Sequence, residues 1–286
     1  RTVSCQGVNT YLSRFDAMAD KAAAQVIAQY STSFSLAVRT LPKPERTHIR
    51  NLYAVVRIAD EIVDGTTTQA NECPETALDL YEEQVLHAPH HRFHTDPVLH
   101  AWARTFRECR LNENHIRAFF ASMRADLTQT TFTQHELDTY IYGSAEVIGL
   151  MCLDIFLRGR DTPRRRELEE GARALGSAFQ KVNFLRDLGE DSRALGRAYF
   201  DATLDDVLKS TLTSQIADEL DRARKAIPLL PPAARGGVAA AEALFRELNA
   251  RIAATPAAQL RTTRVRVPNH IKLALTAKAL ANTRKP

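Results

Sequence analysis

Two short stretches of this chain hold residue types that could do chemistry at a spacing that would bring them together. In residues 53–64, "YAVVRIADEIVD", Tyr53, Arg57, Asp60 and Asp64 recur every three or four positions. At about 100° per residue, a helix gathers them into one narrow sector. Leu52, Val55, Val56, Ile58, Ile62 and Val63 cover most of the remaining circumference. A surface helix has the opposite balance, a limited apolar stripe and a wide polar face. This helix is therefore expected to be surrounded by protein, its polar stripe facing something other than bulk water. Two desolvated carboxylates one turn apart repel each other, so a cation must compensate them or one must stay protonated.

The second stretch is "QKVNFLRDLGED", residues 180–191. Gln180, Asn183, Asp187 and Asp191 share a sector, Leu175, Ala178, Val182 and Leu185 an adjacent apolar one, and Phe179 and Leu188 extend the cover. If the two stripes face each other they form an oxygen-rich cage. Such a cage suits Mg²⁺, which takes one or two carboxylates per ion and completes its shell with water and phosphate oxygens. No His or Cys joins either stripe, which disfavours softer metals. A lone Asp-x-x-x-Asp is common on solvated helix faces, and the second stripe alone reads equally as capping and surface ion pairs. The two together, each on a helix with heavy apolar cover, favour a metal–phosphate site.

The elements that must position these rows are helical. The chain has 286 residues, 44% of them hydrophobic, with only 11 glycines, which allows a large core and leans away from sandwiches and barrels. Breakers fall at "LPKPE" (41–45), "DGTTTQANECPE" (64–75), "HAPHH" (87–91), "RGRDTP" (158–163), "LLPPAARGG" (229–237) and "VPN" (267–269). Between them run segments with helical periodicity, and good strand patterns are absent, so the expected fold is all-α. The net charge of +4 does not demand nucleic acid, and none is expected as a partner; it suits an anionic substrate or an anionic membrane surface. Cys5, Cys73, Cys109 and Cys152 show no paired spacing and read as reduced thiols of a cytoplasmic protein. No apolar run approaches the roughly 20 residues that span a bilayer. The chain begins at Arg1, so a leader or tag could have been trimmed.

The ordered blocks of this sequence resemble the squalene/phytoene synthase family, the head-to-head branch of the trans-isoprenyl diphosphate synthases. The blocks are "YSTSFSLAVRTLP" (30–42), "IRNLYAVVRIADEIVD" (49–64), "YIYGSAEVIGLM" (140–151) and "GSAFQKVNFLRDLGEDSRALGRAYF" (176–200), and the resemblance runs from about residue 22 to 272. The wording looks most like phytoene synthases of actinobacteria. The resemblance implies one isoprenoid-synthase-like domain over residues 1–286, with an N-terminal extension (1–20) and a basic C-terminal segment (264–286). It implies Mg²⁺, with Mn²⁺ as a substitute, held by Asp60, Asp64, Asn183, Asp187 and Asp191, with Glu190 as an acidic neighbour. It assigns diphosphate-side roles to Ser31, Ser33, Arg57, Arg186, Arg197, Tyr199, Arg264 and Lys272, and site roles to Tyr53 and Gln180. Phe34, Val147, Ile148, Leu150, Met151 and Phe179 are candidate cavity walls, and Tyr140 is a candidate proton acceptor beside released diphosphate.

The reaction implied joins two geranylgeranyl diphosphates through a cyclopropyl intermediate, prephytoene diphosphate, to phytoene with release of two diphosphates. The alternatives are squalene or dehydrosqualene synthase acting on farnesyl diphosphate, a non-catalytic membrane-associated helical scaffold, and a diphosphate hydrolase. NADPH is not expected, and no GxGxxG fingerprint is present. A peripheral membrane surface and downstream carotenoid enzymes are expected contacts. The sequence departs from the family pattern at three places. Phe245 stands near a site tyrosine's position, Thr32 lies where some relatives carry lysine, and Glu146 replaces a small residue and is expected outside the tunnel.

Overall fold

The computed structural model describes residues 10–194 and 204–283, without the side chains of Thr32, Ser33 and residues 189–194. Among these the chain is helical with no β-strand. In order the helices are α1 (Tyr11–Tyr30), α2 (Thr32–Arg39), α3 (Lys43–Val63), α4 (Thr66–Gln69), α5 (Pro74–His87), α6 (Pro97–Cys109) and α7 (Glu113–Thr128). Then follow α8 (Gln134–Ile141), α9 (Val147–Leu157), α10 (Arg165–Ala194), α11 (Asp206–Ala226), α12 (Pro232–Ala254), α13 (Ala257–Leu260) and α14 (Asn269–Thr283). The all-α expectation is met.

Local chemistry explains the boundaries. Asp96, Asn112, Thr133 and Asp205 each accept backbone N–H bonds at the start of the next helix, and Thr133 with Glu136 forms a reciprocal capping box. Prolines sit in the first turns of α3, α5, α6 and α12, where the missing N–H costs nothing. Helix α9 ends where Arg158 turns left-handed at φ 50°. Gly236 and Gly237, which look like breakers in the sequence, lie inside α12. A Cβ at Gly237 would run into the Leu41 side chain, so the glycine serves close packing of α12 on the end of α2.

Helix α3 is central, packed by α1, α5, α6, α7 and α9. Trp102, Phe119, Phe120, Leu52 and Met151 fill the core around it. A buried polar seam fixes its rotation: Asn51 Nδ2 donates to Asp20 Oδ1 and Thr105 Oγ1, each at 3.1 Å, and His48 Nδ1 lies 2.9 Å from Thr105 Oγ1. A second core joins α10, α11 and α12 through Val182, Leu185, Ile216, Leu220 and Ile252. Between the two cores lies a cavity.

The wall joining them is the α8–α9 run. A five-residue π-helical turn, Tyr142–Glu146, links α8 to α9 without a break. The linked run, Gln134–Leu157, has mean hydropathy 1.5 over its most apolar window and is long and apolar enough to cross a membrane, which corrects the expectation that no segment is. Two-thirds of that window is buried inside the protein, as for a core helix. Glycines let it pack tightly: a Cβ at Gly149 would overlap the Ala172 carbonyl, and one at Gly176 the Ala145 carbonyl. Helix α10 thus approaches this run at backbone contact, which brings the row on α10 toward the row on α3.

Candidate active site

One cavity of about 590 Å³ lies between α3, the α8–α9 run and α10, and α2, α11 and α12 close its other side. Its polar end is lined by Tyr53, Arg57 and Asp60 from α3 and by Gln180, Asn183, Arg186 and Asp187 from α10, with Ser31 and Arg264 beside them. Below that layer the lining is mostly apolar, through Phe34, Ile148, Cys152 and Phe179 to Phe156 and Leu168. The two polar stripes therefore face one space.

On α3 one guanidinium serves three acids. Arg57 pairs with Glu61 at hydrogen-bond contact and stands 3.9 Å from Asp60 and 3.8 Å from Asp64. Its plane lies over the Tyr30 ring, 4.4 Å from the centroid. Asp60 exposes about a third of its side chain, and it does so to the cavity. Desolvation pushes its pKa up to about 8; Arg57 pulls it down, while Asp64, Asp126 and Glu61 push it up further. The row on α3 is therefore short of positive charge. Tyr53, stacked on Phe34 at 5.7 Å, is desolvated, and its hydroxyl pKa rises to about 12. Asp64 caps the C-terminus of α3 and stands at the rim, outside the cavity lining.

Among the described side chains, the row on α10 has the opposite balance. Arg186 grips both oxygens of Asp187, and Arg264 Nε reaches the same carboxylate at 2.9 Å. Asn183 Oδ1 is buried without a hydrogen-bond partner. Lys272 lies near this cluster outside the lining; burial first, then Arg186 and Arg266, lowers its pKa. Ser31 Oγ caps α2 by accepting the Phe34 N–H at 3.3 Å. Asp191 and Glu190 belong to the last turns of α10, and their side chains, with that of Ser33 and all of Arg197 and Tyr199, fall outside the described residues.

The central wall departs from expectation in register. Tyr140, Ser144, Ile148 and Cys152 line the cavity, whereas Val147, Leu150 and Met151 do not and pack with the core. The π turn is the reason: it holds more residues per turn than an α-helix, so the face below it advances by one position. Ile148 and Cys152 take the places that uninterrupted periodicity gives to Val147 and Met151. Phe34 and Phe179 do line the cavity, and Phe245 stacks on Phe179 with centroids 3.6 Å apart. Glu146 points elsewhere and pairs with Arg173 at 2.6 Å.

Asp126 on α7 is absent from the sequence expectations. Tyr140 donates its hydroxyl to Asp126 Oδ2 at 2.9 Å, and Asp126 lies close enough to Asp60 to raise its pKa. A signal existed: Phe119, Met123 and Asp126 recur at helical spacing, and the first two are buried. Tyr30, Glu61 and Phe156 were likewise not singled out.

The donors present suit a hard divalent cation: carboxylates, an orphaned amide oxygen, and a carboxyl whose charge is undercompensated. Among the described residues no three His, Cys, Asp or Glu side chains form a ready-made ligand cluster.

Comparisons with known proteins place the chain in a family. The family model described as "Squalene/phytoene synthase" matches residues 27–270. The chain is 34% identical over 194 residues to a phytoene synthase of Arthrospira platensis, a match covering 64% of this chain and 60% of that protein's length. It is 32% identical to a 4,4'-diapophytoene synthase of Staphylococcus haemolyticus over 69% of this chain and 66% of that one. A dehydrosqualene synthase crystal structure superposes with a TM-score of 0.79 at 23% identity, over 95% of this chain and 98% of that one. A squalene synthase from Alicyclobacillus acidocaldarius gives 0.71 at 22% identity, over 86% and 95%. The fold is thus the all-α isoprenoid synthase fold, and the chain belongs to the squalene/phytoene synthase family of prenyltransferases.

Proposed function

We propose that this protein is a phytoene synthase, joining two geranylgeranyl diphosphates head to head through prephytoene diphosphate, with residues 1–286 acting as one catalytic domain. The observation that carries the reading is the cavity's reach below the acids. Its lining follows α10 from Asn183 to Leu168, fifteen residues, or about 22 Å at about 1.5 Å per residue. Carbon–carbon bonds near 1.5 Å in a zigzag advance roughly 1.25 Å each, so a C20 prenyl chain extends about 20 Å and a C15 chain about 15 Å. The longer substrate uses the whole depth.

Asp60, Asn183 and Asp187, with Asp64 and Asp191, would hold Mg²⁺ or Mn²⁺. When bound, the ions supply Lewis-acid stabilisation of charge on the departing diphosphate. The chain's own residues do the rest. Arg57, Arg186, Arg264 and Lys272 carry positive charge toward diphosphate oxygens, arginine as a planar fork and lysine as a point charge. Ser31 and Gln180 line the same polar end; Ser33, Arg197 and Tyr199, outside the described residues, would take the diphosphate-side roles that the resemblance implies. Phe34, Ile148 and Phe179 keep water from the allylic cation that remains when the C–O bond breaks. The second substrate's double bond attacks that cation, and a proton leaves as the cyclopropane closes. Tyr140, whose hydroxyl donates to Asp126, would take this proton while passing its own to Asp126. The basic, exposed residues Arg261, Arg266 and Lys278, with exposed Leu273, support contact with an anionic membrane surface, where a C40 product would be handed to downstream carotenoid enzymes.

The deciding experiment incubates the protein with geranylgeranyl or farnesyl diphosphate and Mg²⁺, with and without NADPH, and weighs the products. A C40 hydrocarbon without NADPH is expected. Only C30 hydrocarbon would move the assignment to the squalene or dehydrosqualene type, and free prenyl alcohol alone would make the protein a hydrolase.

A further inference from the structure

Asp187 sits in a contradiction. It belongs to the row proposed to bind metal, yet its carboxylate is already taken. Arg186 Nε lies 2.9 Å from Oδ1 with Nη2 on Oδ2, and Arg264 Nε lies 2.9 Å from Oδ1. A carboxylate offers about four lone-pair sites, and three are committed here. Two adjacent guanidinium groups also repel any cation approaching the same oxygens. Asp60 across the cavity has no such cover; its nearest guanidinium nitrogen is 3.9 Å away.

The two arginines are not equivalent. Arg186 is the chain neighbour of Asp187 on α10. Arg264 arrives from the non-helical stretch between α13 and α14 and is 43% exposed, against 17% for Asp187. Its contact is the more solvent-accessible of the two, since Arg186 is 24% exposed. Further basic groups stand close by, since Arg186 and Arg266 both bear on Lys272.

We infer that Arg264 is an exchangeable counter-ion, which neutralises Asp187 in the metal-free protein and transfers to diphosphate oxygens when a metal–diphosphate complex enters. The inference rests on the metal–diphosphate reading of the site above. It makes binding of the two ligands mutually dependent: a free divalent ion must displace Arg264 unaided, whereas diphosphate draws Arg264 away and uncovers Asp187. By linkage, each ligand raises the other's affinity by the same factor.

The test is calorimetric titration of Mg²⁺ into the wild-type protein, Arg264→Ala and Arg266→Ala, each with and without saturating inorganic diphosphate. Arg264→Ala is expected to bind Mg²⁺ alone roughly two- to fivefold more tightly than wild type, the range of a partly exposed ion pair. Diphosphate should then improve Mg²⁺ binding less in this variant than in wild type. Arg266→Ala removes a nearby charge without removing the contact, so its change should be clearly smaller. Equal or weaker Mg²⁺ binding in Arg264→Ala, or equal gains in both variants, would overturn the inference while leaving the site reading intact, provided wild type binds Mg²⁺ with diphosphate. Absence of Mg²⁺ binding in wild type even with diphosphate would overturn both.

Discussion

The acid rows on α3 and α10 look alike in sequence and are opposite in electrostatics. On α3, Asp60, Glu61 and Asp64 share Arg57, and Asp126 adds a fourth negative group nearby. On α10, the single carboxylate of Asp187 has two guanidinium partners, one from a segment 77 residues later in the chain. Among the described side chains, the carboxylates on α3 share one guanidinium from their own helix, whereas Asp187 on α10 is held by two, one of them from a distant segment.

The largest expected effect comes from breaking the undercompensated row. Asp60→Asn should cut product formation by about a thousandfold or more, with the helical circular-dichroism signal unchanged. A smaller loss, about ten- to a hundredfold, is expected for Arg57→Ala, since three acids lose their common partner but keep their places. Steady-state kinetics at several Mg²⁺ concentrations separates the two, because added Mg²⁺ should partly restore Arg57→Ala and not Asp60→Asn. If both variants respond alike, the contrast between the rows is wrong.

The spacing of the rows can be tested without touching an acid. Gly176→Ala places a methyl group against the Ala145 carbonyl and must push α10 from the central wall. A loss of about 1–3 kcal/mol is expected, read as a lowered urea midpoint, with activity falling in the folded fraction as well. The smallest effect concerns the seam that sets the rotation of α3. Burial lowers the His48 pKa below the ordinary value of 6.5, with Glu108 opposing. The unfolded state then binds more protons, so this contribution is fully present above about pH 6.5 and is lost progressively as pH falls below it toward the lowered folded-state pKa. The melting temperature should drop between pH 7.5 and 5.5, and drop less in His48→Gln.

Both rows were legible because they are local. Positions three and four apart on a helix report one face wherever the helix lies, and the apolar cover around Asp60 and Asn183 gave away their burial. Asp126 was hidden because its relation to Asp60 crosses from α7 to α3, and only the packing of Met123 and Phe119 turns it inward. The grip of Arg264 on Asp187 was hidden for the same reason; the basic block was visible, but not its target. Gly236 and Gly237 misled because a glycine required for close approach has the same letter as a glycine that ends a helix. Val147, Leu150 and Met151 fall outside the lining, while Ile148 lies within it, because α-helical periodicity does not hold through the π turn above them.

That turn has a consequence for how the protein can change. Residues 142–146 work as a phase shifter between the mouth and the depth of the cavity. Deleting one residue there would leave Tyr140 and Asp126 in place while rotating Ile148, Cys152 and Phe156 off the lining together and bringing a different set of side chains inward. A single codon lost or gained at this point could remodel the whole lower wall at once, leaving the chemistry above it untouched.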